Sequence, residues 1–373
     1  MSAPFGIAGH AGGDVRSDCL VRLTLDGLGA FALRSPVAAM YGRRIREVAQ
    51  QTLAALGVPD ASLDIEDSGA LDHVLAARIE AALVRAGVSI EDEARQPSPP
   101  SALSAPVVSR LYLPGDTPKL FPNAKLFGAD ALIFDLEDAV APQDKDQALI
   151  LVRRTLELMD FGDSQRWVRL NAHRAMDEAA TLLGLADAFI LPKCEDPEAV
   201  AEFAFAVAPT PVTALLETAL GVVRAFDIAT CAPDVSGLAV GLEDLCRDLG
   251  VERTESGDET KWAQGAVVLA AKAAGIAVSA SVYSKVDDDA GLAAYALGCR
   301  RIGFDGVGCI HPRQVPIVHR VFAPSEAEIA RAQRICQAFD AAEGGVVLVD
   351  GAMVDLPVAE RARAVLKRAG ATR

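Results

Sequence analysis

Aromatic residues are scarce: they make up 5% of the 373-residue chain, against 51% hydrophobic residues overall. A core of stacked rings is thereby excluded, and close-packed aliphatic layers of the α/β kind are expected. Basic residues are also short, with 36 Lys and Arg against 51 Asp and Glu for a formal charge of -15. That balance argues against DNA, RNA or an anionic membrane surface as a partner, since each needs clustered positive charge to displace counterions. Any phosphorylated ligand would have to be met by local basic residues. The seven cysteines, at 19, 194, 231, 246, 299, 309 and 336, are odd in number and lack paired zinc spacing, the pattern of reduced core thiols. No apolar run approaches membrane length, and the first eighteen residues hold no signal core. A soluble, cytoplasmic protein is expected.

The length suggests two domains, or one large barrel with an appendage. Residues 1–88 read as a small β-β-α-β-α module. Cys19 to Leu25 alternate, Ala30 to Leu33 follow a glycine turn, and Ile45, Val48, Ala49, Thr52, Leu53 and Leu56 fall at helical spacing before the cap Gly57. Leu63-Asp64-Ile65 then precedes a second helix with a Leu71, Val74, Leu75, Ile79, Ala82, Leu83 face. Residues 89–106 are rich in Pro, Ser and charge, as expected of a semi-stiff tether.

Residues 107–373 contain eight short apolar runs, each followed by helical pattern: 110–113, 131–136, 167–170, 188–191, 212–216, 238–240, 276–279 and 301–304. Eight β/α units in about 200 residues is the arithmetic of a TIM (β/α)8 barrel, with a doubly wound sheet as the alternative. The stretch Leu132-Ile133-Phe134-Asp135-Leu136-Glu137-Asp138 carries the chemistry, because a buried strand ends in three carboxylates. In a barrel the strand ends share one face, which would gather Glu137, Asp138, Arg169, Asn171, Lys193, Glu217, Glu243, Asp244 and His311. Hard oxygen ligands such as Glu217 and Asp244 favour Mg²⁺. The bland alternatives are a solvated acidic turn, a structural ion pair at Arg169, a snorkelling Lys193 and a self-bonded His311.

Two resemblances add to this. Ala11-Gly12-Gly13-Asp14-Val15-Arg16-Ser17-Asp18, Ser35-Pro36-Val37 and Ile65-Glu66-Asp67-Ser68-Gly69-Ala70-Leu71-Asp72 resemble the acyl carrier (gamma) subunit of citrate lyase. Leu113-Pro114-Gly115-Asp116, Asp135 to Pro142 with Lys145, Val168-Arg169-Leu170-Asn171, Leu216-Glu217-Thr218-Ala219, Gly241-Leu242-Glu243-Asp244-Leu245 and Ile310-His311-Pro312 resemble the citrate lyase beta subunit, whose wider family includes malyl- and citramalyl-coenzyme A lyases.

The first resemblance implies a phosphoribosyl-dephospho-coenzyme A prosthetic group on Ser17. The second implies Mg²⁺ held by Glu217 and Asp244, a keto-acid carboxylate clamped by Arg169, and a pocket with Pro114, Gly115 and Asp135 on its substrate side and Glu137 and Asp138 among its catalytic groups. Near the end, Gly351-Ala352-Met353-Val354-Asp355-Leu356-Pro357 resembles a tail motif whose aspartate, here Asp355, enters a neighbouring subunit's site as acid/base. The activity implied is carbon-carbon cleavage of a citryl thioester to oxaloacetate and an acetyl thioester. A homo-oligomer built on trimers and a separate alpha (acyl transferase) subunit are the implied partners. A lyase for free malyl- or citramalyl-coenzyme A thioesters with a vestigial carrier, or a non-catalytic scaffold retaining the barrel, are the alternatives.

Overall fold

The computed structural model describes residues 3–90, 107–342 and 345–371, so the expected tether lies outside the described residues except at 89 and 90. The N-terminal module consists of β1 (Phe5–Ala8), β2 (Cys19–Thr24), β3 (Phe31–Arg34), α1 (Ala38–Ala55), β4 (Ser62–Asp67) and α2 (Asp72–Arg85). Its sheet runs β1-β2-β4-β3, with only the β3–β4 pair parallel. Alternation in β2 and β4 turns Cys19, Val21, Leu23, Leu63 and Ile65 onto the core formed with α1 and α2.

Strand β1 is absent from the sequence reading because its pattern is inverted. Phe5 and Ile7 face outward while Gly6 and Ala8 face inward. The inner face needs small residues: a Cβ on Gly6 would lie 1.9 Å from the Ala82 carbonyl oxygen of α2.

The second body is a closed parallel barrel of β5 (Ser109–Pro114), β6 (Ala131–Asp135), β7 (Gln165–Arg169), β8 (Ala188–Leu191), β9 (Val212–Leu216), β10 (Val235–Val240), β11 (Ala277–Ala280) and β12 (Gly306–Cys309), with β12 pairing back onto β5. The expected TIM-type barrel is therefore present. Helices α3 (Lys145–Leu158), α4 (Ala175–Leu182), α5 (Pro197–Val207), α6 (Ala219–Val223), α7 (Ala225–Thr230), α8 (Leu242–Leu249), α9 (Lys261–Ala274), α10 (Asp289–Ile302) and α11 (Val315–Phe322) surround it. The first unit departs from the expected pattern: only short 3-10 turns connect β5 to β6, and Phe121 from that connection packs edge-on against Phe134, ring centroids 5.3 Å apart. Every residue of β6 is buried, Ile133 toward the interior layer with Trp167 and Ile190, Leu132 and Phe134 toward the helices.

The eighth strand lies further along the chain than the apolar pattern places it. The run Arg301 to Phe304 closes α10 through a left-handed Gly303, and the eighth strand is instead Gly306-Val307-Gly308-Cys309. Its glycines give it weak strand propensity but are sterically required. A Cβ on Gly306 would lie 2.3 Å from the Val108 carbonyl oxygen and 2.6 Å from Arg110 Nη1, and one on Gly308 2.8 Å from the Val282 side chain.

After α11 come α12 (Glu326–Ala341), the hairpin β13 (Val347–Val349) and β14 (Ala352–Val354), and α13 (Leu356–Ala371). These elements share a small core containing Ile335, Phe339, Val354 and Ala359. Among the described residues no helix is long and apolar enough to cross a membrane.

The crowding at β12 yields a paired prediction. Gly306→Ala should destabilise the protein by roughly 3 kcal/mol in denaturant unfolding, because the barrel seam must open to admit the methyl group. Gly298→Ala, on an open face of α10 with no neighbour within 4 Å, should instead stabilise it by about 0.5–1 kcal/mol. Equal effects at the two positions would contradict this account of the seam.

Candidate active site

Inward parity builds the site. In β5 the interior residues are Arg110, Tyr112 and Pro114; in β6 Ala131, Ile133 and Asp135; in β7 Trp167 and Arg169. Two residues beyond Leu215 the same parity delivers Glu217. Registry does the rest: Pro114 pairs with Asp135 and Asp135 with Arg169 across adjacent strands. The carboxyl ends of the strands open into a cleft of about 400 Å³ that includes Tyr112, Pro114, Asp135, Asp138, Arg169, Glu217 and Asp244.

Arg169 is the hub. Its Nε and Nη2 donate to Asp135 Oδ1 and Oδ2 at 2.8 and 2.7 Å, while Nη1 lies 3.0 Å from Glu137 Oε2 and 3.2 Å from Asp138 Oδ2. Burial opposes its charge, but the Asp135 carboxylate outweighs that and holds its pKa well above the ordinary value. The Tyr112 ring backs the guanidinium at 5.4 Å. The fork expected to clamp a keto acid is thus occupied by Asp135, and only Nη1 is turned toward the other acids.

The acidic loop after β6 is pinned from below. Lys145 Nζ donates to the carbonyls of Leu136 and Glu137 at 2.9 and 2.8 Å and to Asn171 Oδ1 at 2.5 Å, and Asn171 is held in turn by Glu178. Lys193, in a left-handed conformation at φ 56°, places Nζ 2.8 Å from Glu137 Oε1 and its backbone N–H 3.2 Å from Glu217 Oε2. Burial raises the Glu137 pKa despite the opposing Arg169.

Glu217 is the most perturbed acid. It is 2% exposed, and burial, reinforced by the negative charge of Glu137 and Asp244, pushes its pKa up to about 8. Gly241 makes room for it, since a Cβ there would sit 2.5 Å from Glu217 Oε1. Asp244, on the first turn of α8, reaches the cleft and pairs with Arg247 at 2.5 Å. A buried carboxylate crowded by like charge, whose acidity burial weakens, is suited to a divalent cation, and the donors around it are all oxygen.

Not every expected residue joins the cleft. Gly115 does not line the cleft: its N–H donates to the Asp135 carbonyl at 2.8 Å, and a Cβ would lie 2.8 Å from that oxygen. His311 caps the turn before α11, accepting the Arg313 N–H on Nδ1 at 3.2 Å. Asp355 caps α13, accepting the Val358 N–H at 3.2 Å, and does not line the cleft of its own chain. Ser17 lies in the module, half-buried, at φ 58°.

Sequence reasoning passed over Tyr112, Lys145 as the anchor of the acidic loop, and Arg110. Arg110 is buried above the Trp167 ring at 5.4 Å, with Nε and Nη1 unpartnered among the described residues, and burial lowers its pKa to about 10. The period-two spacing of Arg110, Tyr112 and Pro114 in one strand was the available signal. The His10, Asp116 and Asp144 ligand atoms lie within 4.8 Å of one another, but His10 is already bonded to Asp18 at 3.1 Å beside the Arg78 guanidinium, a poor setting for a cation.

Residues 109–312 match the family model described as HpcH/HpaI aldolase/citrate lyase. Residues 8–86 match an acyl-carrier model described as Malonate decarboxylase delta subunit (MdcD). Citrate lyase subunit beta of Leuconostoc mesenteroides subsp. cremoris is 36% identical over 280 residues, covering 70% of this chain and 92% of its own. A (3S)-malyl-CoA thioesterase of Cereibacter sphaeroides is 38% identical over 273 residues, covering 71% and 95%. Among solved structures, protein CitE of Mycobacterium tuberculosis in complex with magnesium, acetoacetate and coenzyme A superposes with a TM-score of 0.63 at 35% identity, over 71% of this chain and 99% of that one. The citrate lyase beta subunit of M. tuberculosis complexed with oxaloacetate and magnesium gives 0.53 at 34% identity, over 60% and 100%. With its barrel and acyl-carrier-like module both accounted for, the chain belongs to the HpcH/HpaI aldolase/citrate lyase family.

Proposed function

We propose that the chain is a Mg²⁺-dependent carbon-carbon lyase that cleaves a citryl thioester to oxaloacetate and an acetyl thioester, with the acyl group carried on a prosthetic arm at Ser17. The observation that carries this is the buried Glu217, crowded by Glu137, Asp138 and Asp244 beside a single arginine hub. Glu217 and Asp244 would hold the ion, with Asp138 at the cleft's edge. When bound, Mg²⁺ supplies Lewis-acid stabilisation to oxygen that gains negative charge. The solved relatives that hold magnesium with oxaloacetate, or with acetoacetate and coenzyme A, support that choice of ion and ligand class.

The remaining work falls to the chain. Arg169 Nη1, the arm not spent on Asp135, would donate to the keto-acid carboxylate as it forms. A carboxylate at the cleft would take the hydroxyl proton, the alkoxide collapses to the ketone, the carbon-carbon bond breaks, and its electron pair passes to the acetyl thioester as an enolate. A carboxyl group then returns a proton to that carbon. Asp355 is assigned to this step from a neighbouring copy, which fits its place outside its own cleft and requires the oligomer. An alpha-type acyl transferase would load the arm.

A second reading, cleavage or hydrolysis of free malyl-type coenzyme A esters with an unloaded module, is favoured by the (3S)-malyl-CoA thioesterase relatives and by coenzyme A in a solved neighbour. Intact-mass analysis of the protein from its own source, with peptide mapping across Ser17, separates the two. A phosphoribosyl-dephospho-coenzyme A mass on that peptide supports the first, and an unmodified Ser17 the second.

Glu217→Gln should reduce cleavage at least 10³-fold with an unchanged circular dichroism spectrum and should weaken Mg²⁺ binding by calorimetry; retained turnover would remove Glu217 from the metal site. The pH dependence follows from the same residue. Its folded-state pKa, about 8, lies above its unfolded value near 4.5, so the metal-free protein binds an extra proton between those limits and loses stability as pH climbs through them. Mg²⁺ must displace that proton, so affinity should rise about tenfold per pH unit from pH 6 to 8 and then level off. A flat titration over that range would contradict the protonated carboxylate. For Asp355, mixing inactive Glu217→Gln and Asp355→Asn chains under subunit exchange should restore activity, whereas a dead mixture would show that Asp355 does not serve a neighbour's cleft.

A further inference from the structure

The sequence suggests a carrier module swinging on a tether, but the residues between module and barrel describe a fixed joint. Helix α2 lies along α3, and two α2 residues, Val74 and Ala77, are buried in the barrel's own hydrophobic core, while Ile150 of α3 packs against the module's core. Glu80, 3% exposed, is gripped by Arg153 and by Arg154, whose Nε and Nη2 lie 2.8 and 2.6 Å from Oε2. Arg85 forms a fork with Asp146 at 2.7 and 2.5 Å and also donates to the Gln143 carbonyl. The Gly9 N–H donates to Gln147 Oε1 at 2.7 Å. Separating these surfaces would expose apolar core and strip a buried carboxylate of both its partners, a cost far above that of an ordinary surface ion pair.

The joint also sets where Ser17 stands. Its N–H donates to the Ser68 carbonyl at 3.0 Å and the Ser68 N–H returns to the Asp18 carbonyl at 2.9 Å, which fixes the left-handed turn before β2. Asp18, next in sequence, takes a two-point bond from the fully buried Arg78 at 2.8 and 2.9 Å. Arg78 Nη2 also reaches the Asp116 carbonyl of the barrel at 3.4 Å. Asp116 follows Gly115, which bonds Asp135, which holds Arg169. A continuous run of contacts therefore links the attachment serine to the hub of the cleft on the carboxyl-terminal rim.

We infer that the module is a rigid bracket rather than a swinging domain, holding Ser17 at the rim of its own barrel so that an acyl group on Ser17 is delivered within one chain by the flexibility of the arm alone. The inference rests on Ser17 as the attachment site only for its last clause.

Two measurements test it. A protease site is placed within residues 91–106 of the full chain and cut after purification. The two pieces should stay together in native mass spectrometry at submicromolar concentration, and Arg85→Glu should raise their dissociation constant at least tenfold, with Asp146→Arg in the same chain recovering most of it. Pieces that part at micromolar concentration would overturn the fixed joint, whatever the enzyme's substrate. Next, chains with Ser17→Ala are exchanged into oligomers with loaded Glu217→Gln chains. No recovery of acyl-arm turnover is expected, and recovery would show delivery between chains and overturn the last clause. A loaded unmutated chain that fails to turn over would instead count against the proposed reaction, leaving the joint to the first measurement.

Discussion

One guanidinium makes the barrel mouth possible. Asp135, Glu137 and Glu217 are all nearly removed from water, and Asp138 and Asp244 stand at the same opening. Burying so much negative charge without compensation is prohibitive. Arg169 answers three of the acids at once, its planar fork locked on Asp135 and its remaining arm between Glu137 and Asp138. Lys193 takes the other oxygen of Glu137. What this arithmetic leaves over is Glu217, whose carboxylate, among the described residues, accepts just the backbone N–H of Lys193 at 3.2 Å. A divalent cation is the kind of charge that would balance it. Arg169 thus spends most of its hydrogen-bonding capacity on the acids that surround it, with its Nη1 arm alone turned away from Asp135.

Much of this was legible in the sequence because a barrel turns a pattern along the chain into a location in space. The run Leu132 to Asp138 announces its own burial and its own acidity, and Glu217 and Asp244 each follow an apolar run that can only be a strand. Failures came where local propensity yields to packing. Gly306 and Gly308 look like a loop and form a strand because the neighbouring backbone leaves no space for a side chain. Strand β1 hides because its small residues, not its large ones, face α2. Gly115 allows a close backbone contact beneath Asp135 that its motif does not reveal. Neighbour geometry of this kind has no one-dimensional signature.

The joint between module and barrel was illegible for a related reason. The charges that form it, Glu80, Arg85, Asp146, Arg153 and Arg154, sit on helix faces that sequence patterning assigns to solvent. Two such faces can satisfy one another, and only the partner reveals it. The formal charge of -15 conceals this too, since the arginines are spent internally at the interface rather than displayed.

Helix α3 connects both halves of the problem. Its first residue, Lys145, holds the Leu136 and Glu137 carbonyls and so fixes the acidic loop, while Asp146, Gln147, Arg153 and Arg154 along the same helix receive the module. A shift of the module along α3 would therefore be felt at the loop that shapes the cleft, and disorder in that loop would loosen the end of the helix on which the module rests. Covalent fusion by a linker alone would raise the local concentration of an acyl arm. Docking on the helix that anchors the site goes further, because it makes the position of Ser17 and the geometry of the carboxylates parts of one rigid structure.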